Sequence, residues 1–294
     1  MVRILGIGDN MVDKNLTTGM MYPGGQAMNI AVNTKMLGAQ TGFIGPMGDD
    51  YVADHIKNTL DEIGVDRSRS RTYHCPHAFA RYKVINEDRV FQSEKKRNPL
   101  QWAIRNMLGY EGLSEEDLEY IKTFDLVHSS DGAGMDFIQT ELPKIKATGV
   151  PLSFDFSVYH NEPGFMEAVC PNAYFVLLSC SHMTVEEMRD RLKKAYDLGS
   201  RICIATRGSE GATLYDGKDF YTQAPHMVKA KDTMGAGDAF ISAFLYTFLK
   251  EGGMKAEDRG QIIRDALLAA AEYSAKACMV DGSFGHGAPY QSEF

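Results

Sequence analysis

Hydrophobic and polar positions follow two different rhythms along this chain. Short apolar runs at 2–8, 125–128, 152–157, 173–178 and 201–206 are bounded by Gly, Asp or Ser. Runs of that length fit buried strands. Between them the spacing changes to threes and fours. Ala27, Ile30, Ala31, Thr34 and Leu37 share one helical face, with Gly38 near the end. His55, Ile56, Leu60 and Ile63 do the same over 54–64, and Gly64 closes that stretch. Helices are also predicted over 137–148, 185–198 and 261–279. Another spans 114–124, with Ser114 and Asp117 as capping-box partners. This alternation predicts an α/β fold, a mostly parallel sheet with helices on both faces. Residues 78–91 break the rhythm. Phe79, Arg81, Lys83 and Ile85 take one parity and Tyr82 and Val84 the other, so a hairpin turning at Asn86-Glu87-Asp88 is expected.

Composition narrows the class. The chain has 294 residues, 44% of them hydrophobic, enough for a sizeable core, and one large domain over 1–294 is the expectation. A formal charge of −8 argues against nucleic acid and anionic membrane as main partners. No stretch reaches the length of apolar residues needed to cross a bilayer, and the start of the chain is too briefly apolar for a signal peptide. Five cysteines are scattered without zinc spacing, which fits reduced thiols and a cytoplasmic setting.

The chemistry concentrates in 231–249. Gly235, Ala236 and Gly237 make a tight turn, Asp238 stands at a helix start, and Phe240, Ile241, Phe244, Leu245 and Phe248 follow at helical spacing. A helix start leaves N–H groups without intrahelical partners and carries partial positive charge. Such a turn can hold the charge of a phosphoryl group in transfer, with Asp238 taking the proton of an attacking alcohol. Taken alone, an Asp at that place reads first as an N-cap. Asp9 and Asp13 follow the first strand, where ligands bind in open α/β sheets. As isolated acids they read as a turn former and a solvated charge.

The run Asp232-Thr233-Met234-Gly235-Ala236-Gly237-Asp238 resembles the C-terminal signature of the ribokinase-like (PfkB) carbohydrate kinases. Gly24-Gly25 with Asn29, followed by 42–50, resembles their N-terminal signature. The resemblance implies a three-layer α/β/α fold with a central mostly parallel sheet and a small β-sheet lid, here from 14–22 and 76–98. It implies ATP and Mg2+, Asp238 as general base, and Gly235, Ala236 and Gly237 as anion hole. It assigns Gly24, Gly25 and Asn29 to the sugar. Thr206, Gly208 and Gly211 resemble the family's nucleotide loop, with Thr233 a further candidate there. Asp9 and Asp13 are candidates for sugar hydroxyls from their place after the first strand. Arg81 could reach an anionic substrate group from the lid, though such residues are more often solvated edge-strand charges. Many relatives carry N-x-x-E after the strand at 173–178, where this chain reads Ser179-Cys180-Ser181-His182, so no protein ligand to the metal is assigned. Residues 281–285 fall where relatives close a monovalent-cation site, which makes K+ a candidate without naming a residue. Relatives often pair through the lid, so a homodimer is an expectation.

Within that family, Asp88-Arg89-Val90-Phe91 and Phe154-Asp155-Phe156-Ser157 resemble the fructoselysine 6-kinases. That implies transfer of the ATP γ-phosphate to O6 of a fructosamine. Asp131, Asp155, Arg81 and Lys83 are candidates for its charged groups, while Lys95-Lys96-Arg97 reads as a solvated loop. Another sugar, such as fructose, ribose or a nucleoside, is the alternative acceptor. A non-catalytic binding protein on the same fold is the remote one.

Overall fold

A computed structural model describes residues 1–85, 88–92, 100 and 111–291. The expected turn residues 86–87 and the basic run 95–97 lie outside them. In chain order the strands are β1 (Arg3–Ile7), β2 (Met11–Asn15), β3 (Met20–Gly24), β4 (Gln40–Ile44), β5 (Pro46–Met47), β6 (Arg71–Thr72), β7 (Phe79–Ile85) and β8 (Asp88–Phe91). They continue as β9 (Leu126–Ser130), β10 (Leu152–Asp155), β11 (Phe175–Ser179), β12 (Ile202–Thr206), β13 (Ala212–Tyr215), β14 (Phe220–Gln223) and β15 (Ala288–Pro289). The α-helices are α1 (Gln26–Met36), α2 (Tyr51–Ile63), α3 (Glu115–Ile121), α4 (Met135–Ala147), α5 (Phe165–Val169), α6 (Val185–Asp197), α7 (Ala236–Lys250) and α8 (Gly260–Ala277).

Eight strands form the main sheet in the order β14-β13-β12-β11-β10-β9-β1-β4. From β4 to β12 every pairing is parallel, and β13 and β14 add antiparallel strands at one edge. Side chains alternate between faces along each strand. Leu5, Val127, Val176 and Leu178 therefore join the core beneath α3, α4, α5 and α6, while Ile4, Leu126, Phe175 and Leu177 join the core beneath α1, α7 and α8. The result is a three-layer α/β/α sandwich. Both faces are covered, which is why these strands read as continuous apolar runs. Ser114 and Asp117 close the expected capping box on α3; Thr184 and Glu187 close another on α6 that the sequence reading did not place.

A second sheet of five strands has the order β15-β3-β2-β7-β8. Its first two strands run over Met11–Asn15 and Met20–Gly24, wider than the expected 14–22, because the ladder begins at Met11↔Gly24. Ala288–Pro289 pairs with Met20–Met21 and supplies a strand that the sequence reading did not place there. Beneath this sheet Val12, Met21, Met28, Phe43, Val52, Ile56 and Phe284 form a third apolar cluster with α1 and α2.

Candidate active site

Three neighbouring strands of the main sheet deliver acids at their carboxyl ends. Asp9 follows β1, Asp131 follows β9 and Asp155 ends β10. The fourth acid, Asp238, comes from the first turn of α7. Helix α1 opens at Gly25, whose φ of 113° suits glycine and whose side is closed off: a Cβ there would lie 2.6 Å from Asn10 Cα. Having no side chain of its own at the cap, α1 takes one from elsewhere. The Gln26 N–H donates to Asp9 Oδ2 at 3.0 Å and the Ala27 N–H to Oδ1 at 3.1 Å, while the Ser130 hydroxyl donates to Oδ1 at 2.9 Å. Asp9 is thus a remote cap with most of its acceptor capacity used.

Helix α7 begins at Gly235, with φ 69°, and among the described residues no side chain caps it. A Cβ on Gly235 would meet Ser283 Cβ at 2.6 Å, whereas one on Gly237 would meet nothing within 4 Å. The turn is therefore packed on one side and open on the other. Asp232 fixes it, accepting from the Met234 N–H at 2.8 Å and the Gly282 N–H at 2.9 Å. Asp238 does not cap its own helix. Its carboxylate is 8% exposed and accepts from Asn29 Nδ2 at 2.6 Å. That contact joins the two glycine-containing segments directly. Ser283 joins them a second time, standing 3.7 Å from where a Gly24 Cβ would be and packed on Gly235. Asp13 sits on the same side, its Oδ2 2.9 Å from that Gly24 position.

The acids act on one another. Burial raises Asp238 well above its ordinary carboxyl range, Asp155, Asp9 and Asp131 push it further, and the Asn29 amide pulls it back. Burial pushes Asp155 up to about 6, opposed by the Ser157 N–H and Gln26. Asp131 is pushed up to about 7 by burial, Asp155 and Asp9. Asp131 and Asp155 were candidates for the substrate's charged groups without a placement, and Gln26 was not read as part of the site. The signal available was position: each lies at the carboxyl end of a parallel strand or at the start of the helix beside it.

Other expected residues are dispersed. Arg81 pairs in register with Lys14, and Ala80 with Asp13, so Arg81 lies on the opposite face of the small sheet from Asp13. Its guanidinium packs 4.8 Å from the Phe79 ring centroid. The sequence reading had the parity of Arg81, and the pairing with β2 adds its register. Thr206 ends β12, and Gly208 and Gly211 shape the loop after it, held by the Arg207 N–H on the Gly211 carbonyl at 2.8 Å. Thr233 is exposed in the turn before α7, its carbonyl accepting from the Ala236 N–H at 3.3 Å. At 179–182, His160 Nε2 contacts the Ser179 carbonyl and Cys180 is buried. Nearby Glu187 is committed to its capping box. Among the described residues no three His, Cys, Asp or Glu side chains are grouped to hold a metal. No cage for Mg2+ is formed among the described residues, and the chemistry below is carried by the chain's own groups.

Comparison with known proteins resolves the class. The description pfkB family carbohydrate kinase matches residues 8–283. The chain belongs to the pfkB family of carbohydrate kinases. This sugar kinase is 34% identical over 293 residues to fructosamine kinase FrlD of Bacillus subtilis (strain 168), covering 99% of this chain and 96% of that one. It is 33% identical over 239 residues to fructoselysine 6-kinase of Escherichia coli (strain K12), covering 81% of this chain and 86% of that one. The structure of Arabidopsis thaliana ribokinase, complexed with ribose and ATP, superposes with a TM-score of 0.72 at 20% identity over 92% of this chain and 91% of that one. That likeness identifies the ribokinase-like fold of the kinase. No helix among its described residues is long and apolar enough to cross a membrane.

Proposed function

We propose that this sugar kinase transfers the γ-phosphate of ATP to O6 of a fructosamine, with Asp238 as general base. The observation that carries the reading is the pairing of a buried carboxylate, held by Asn29, with the uncapped start of α7. O6 attacks the γ-phosphorus as its proton passes to Asp238. The new O–P bond forms while the bond to the β–γ bridging oxygen breaks, and ADP leaves. The N–H groups of the Gly235–Gly237 turn face the charge that develops on the phosphoryl oxygens. Burial, with the neighbouring acids, raises the basicity of Asp238 toward the pH at which a base works best. They also favour a cationic acceptor. A fructosamine carries a protonated secondary amine that free fructose and ribose lack, and it would sit among Asp9, Asp131 and Asp155.

ATP use rests on the family and on the relatives named above. Magnesium would arrive on the nucleotide phosphates with its waters, and Thr206, Gly208, Gly211 and Thr233 remain the proposed nucleotide residues. Asp13, Gly24, Gly25 and Asn29 are proposed to hold the sugar, with the five-stranded sheet as a lid that keeps water from the phosphoryl group. The same reading lets two copies pair through that sheet, whose β7–β8 end exposes Val84, Ile85, Val90 and Phe91. A cytoplasmic setting is proposed on five cysteines scattered along the chain without zinc spacing.

Asp238→Asn tests the base. It is expected to lower kcat by about a hundredfold or more while ATP binding, read by titration calorimetry, persists. A variant with near-normal turnover would sink Asp238 as the base. A panel of acceptors read through ADP release tests the substrate: free fructose or ribose turned over better than fructoselysine would end the fructosamine reading and leave the sugar-kinase class intact.

A further inference from the structure

Residues 281–289 run from the glycine turn to the small sheet, and each end is tied down. At one end the Lys231 ammonium donates to Asp281 Oδ2 at 2.7 Å, and the Gly282 N–H donates to Asp232 Oδ2 at 2.9 Å. Asp232 is the acid that fixes the turn through the Met234 N–H, and Ser283 packs on Gly235. At the other end Ala288 pairs with Met21 of β3. Between the ends the chain bends, with the Gly285 N–H donating to the Asp281 carbonyl at 3.1 Å.

The Tyr22 side chain fills the inside of that bend. A Cβ on Gly282 would lie 2.6 Å from Tyr22 Cβ and 2.8 Å from its Cγ, and a Cβ on Gly287 would lie 2.5 Å from Cε1. Both distances fall well inside the roughly 3.5–4.0 Å of ordinary carbon–carbon contact. Two glycines therefore press bare backbone against one buried ring. Burial raises the Tyr22 phenol above its ordinary range, Asp281 adds to the rise and Lys231 opposes it, which puts the hydroxyl end beside that ion pair. Tyr22 is also in register with Asp13 across β2 and β3, so the two side chains are neighbours on one face of the small sheet.

We propose that Tyr22 is a positioning residue for phosphoryl transfer: its ring sets the place of segment 282–287 and, through Gly282 and Asp232, the place of the Gly235–Gly237 amides. The inference rests on the reading of that turn as the anion hole and adds the part that holds it still. A close-packed interior transmits displacement instead of absorbing it. When the ring is removed, Gly282 loses the wall it rests on, and the amides lose their fixed aim. Donors in such a site act by being in place beforehand, so lost aim is read in the rate more than in binding. The ring and its two glycines lie near opposite ends of the chain, so no local pattern announces the contact.

Turnover with ATP and fructoselysine, counted per ADP-binding site by calorimetry, provides the test, because unfolded protein is then not scored as lost rate. Tyr22→Ala is expected to lower kcat about tenfold, with KM for ATP changed less than kcat. Tyr22→Phe, which keeps the ring, is expected to restore the rate. Gly287→Ala drives a methyl into the ring and should lower kcat by a similar factor. In the Tyr22→Ala background the same methyl meets open space and should cost nothing further. Full kcat per site in Tyr22→Ala, or losses that simply multiply in the double variant, would overturn Tyr22 as a positioning residue. Gly235→Ala separates that failure from failure of the anion hole. If it still lowers kcat on the order of a hundredfold, the turn keeps its role; if it and both single variants turn over normally, both readings fall. A wild-type enzyme inert on fructoselysine ends the fructosamine reading by itself, and the same variants are then compared on free fructose and ribose.

Discussion

The two sheets treat charge in opposite ways. At the carboxyl ends of β1, β9 and β10, acids are buried together, and burial, aided by like charge, holds these carboxyl groups above their ordinary range. In the small sheet a single cation is sealed away. Lys14 is 1% exposed, and its ammonium lies 4.1 Å from the Phe79 ring centroid, 5.6 Å from Tyr290 and 5.9 Å from Tyr51. Aromatic faces attract a cation, and the attraction grows when water is excluded. The acids accept instability so that a ligand can relieve it, whereas Lys14 is satisfied by its own surroundings. Charge in the main sheet is thus arranged for reaction and charge in the small sheet for cohesion.

Substitutions can break that contrast. The largest effect is expected at Lys14→Ala, which removes a buried stem and its contact with the rings. It should cost about 3 kcal/mol of stability, read from a denaturant midpoint, while kcat at a temperature where the variant is folded changes little. A variant of normal stability and lost turnover would move Lys14 into the site and erase the distinction. Gly235→Ala should do the reverse. A left-handed alanine costs about 1–2 kcal/mol, and displacing the turn by about 1 Å is expected to cost on the order of a hundredfold in kcat. If stability collapses and the rate of the remaining folded fraction is normal, the turn is structural.

The smallest effect sharpens the acid side. Asp155 has a folded pKa pushed up to about 6. A group raised in the folded state stabilises below its unfolded pKa and loses that contribution as pH rises through the folded value. Asp155→Asn has no such loss. The melting temperature of the variant relative to the wild type should therefore rise between pH 4 and pH 8. Histidines cannot produce this difference, since His77 and His128, both lowered by burial, are present in both proteins. A constant offset across that range would show that Asp155 is not under pressure from burial and its neighbours.

Much of the main sheet is legible because its residues do one job. Leu152–Asp155 is an apolar run ending in an acid, and it is a buried strand ending in an acid. The capping box of Ser114 and Asp117 is likewise local, written within one turn. The turn at Gly235–Gly237 and the position of Asp238 at a helix start were readable for the same reason. What stayed hidden depends on partners far away in sequence. Asp9 caps a helix that it does not belong to, and Gln26 reaches Asp131 and Asp155 from that helix. The burial of Lys14 has no local signal, because nothing nearby in sequence announces Tyr290. Arg81 was read with the right alternation, but only pairing with β2 decides which face that alternation presents.

The pairing of Ala288–Pro289 with Met20–Met21 has a further consequence. A ribosome making this protein releases the acids, the glycine turn and four of the five small-sheet strands before it reaches that partner. The nascent enzyme thus holds most of its chemical equipment while one border of the small sheet still lacks its neighbour. That border is complete only once residues 288–289 can reach Met20–Met21.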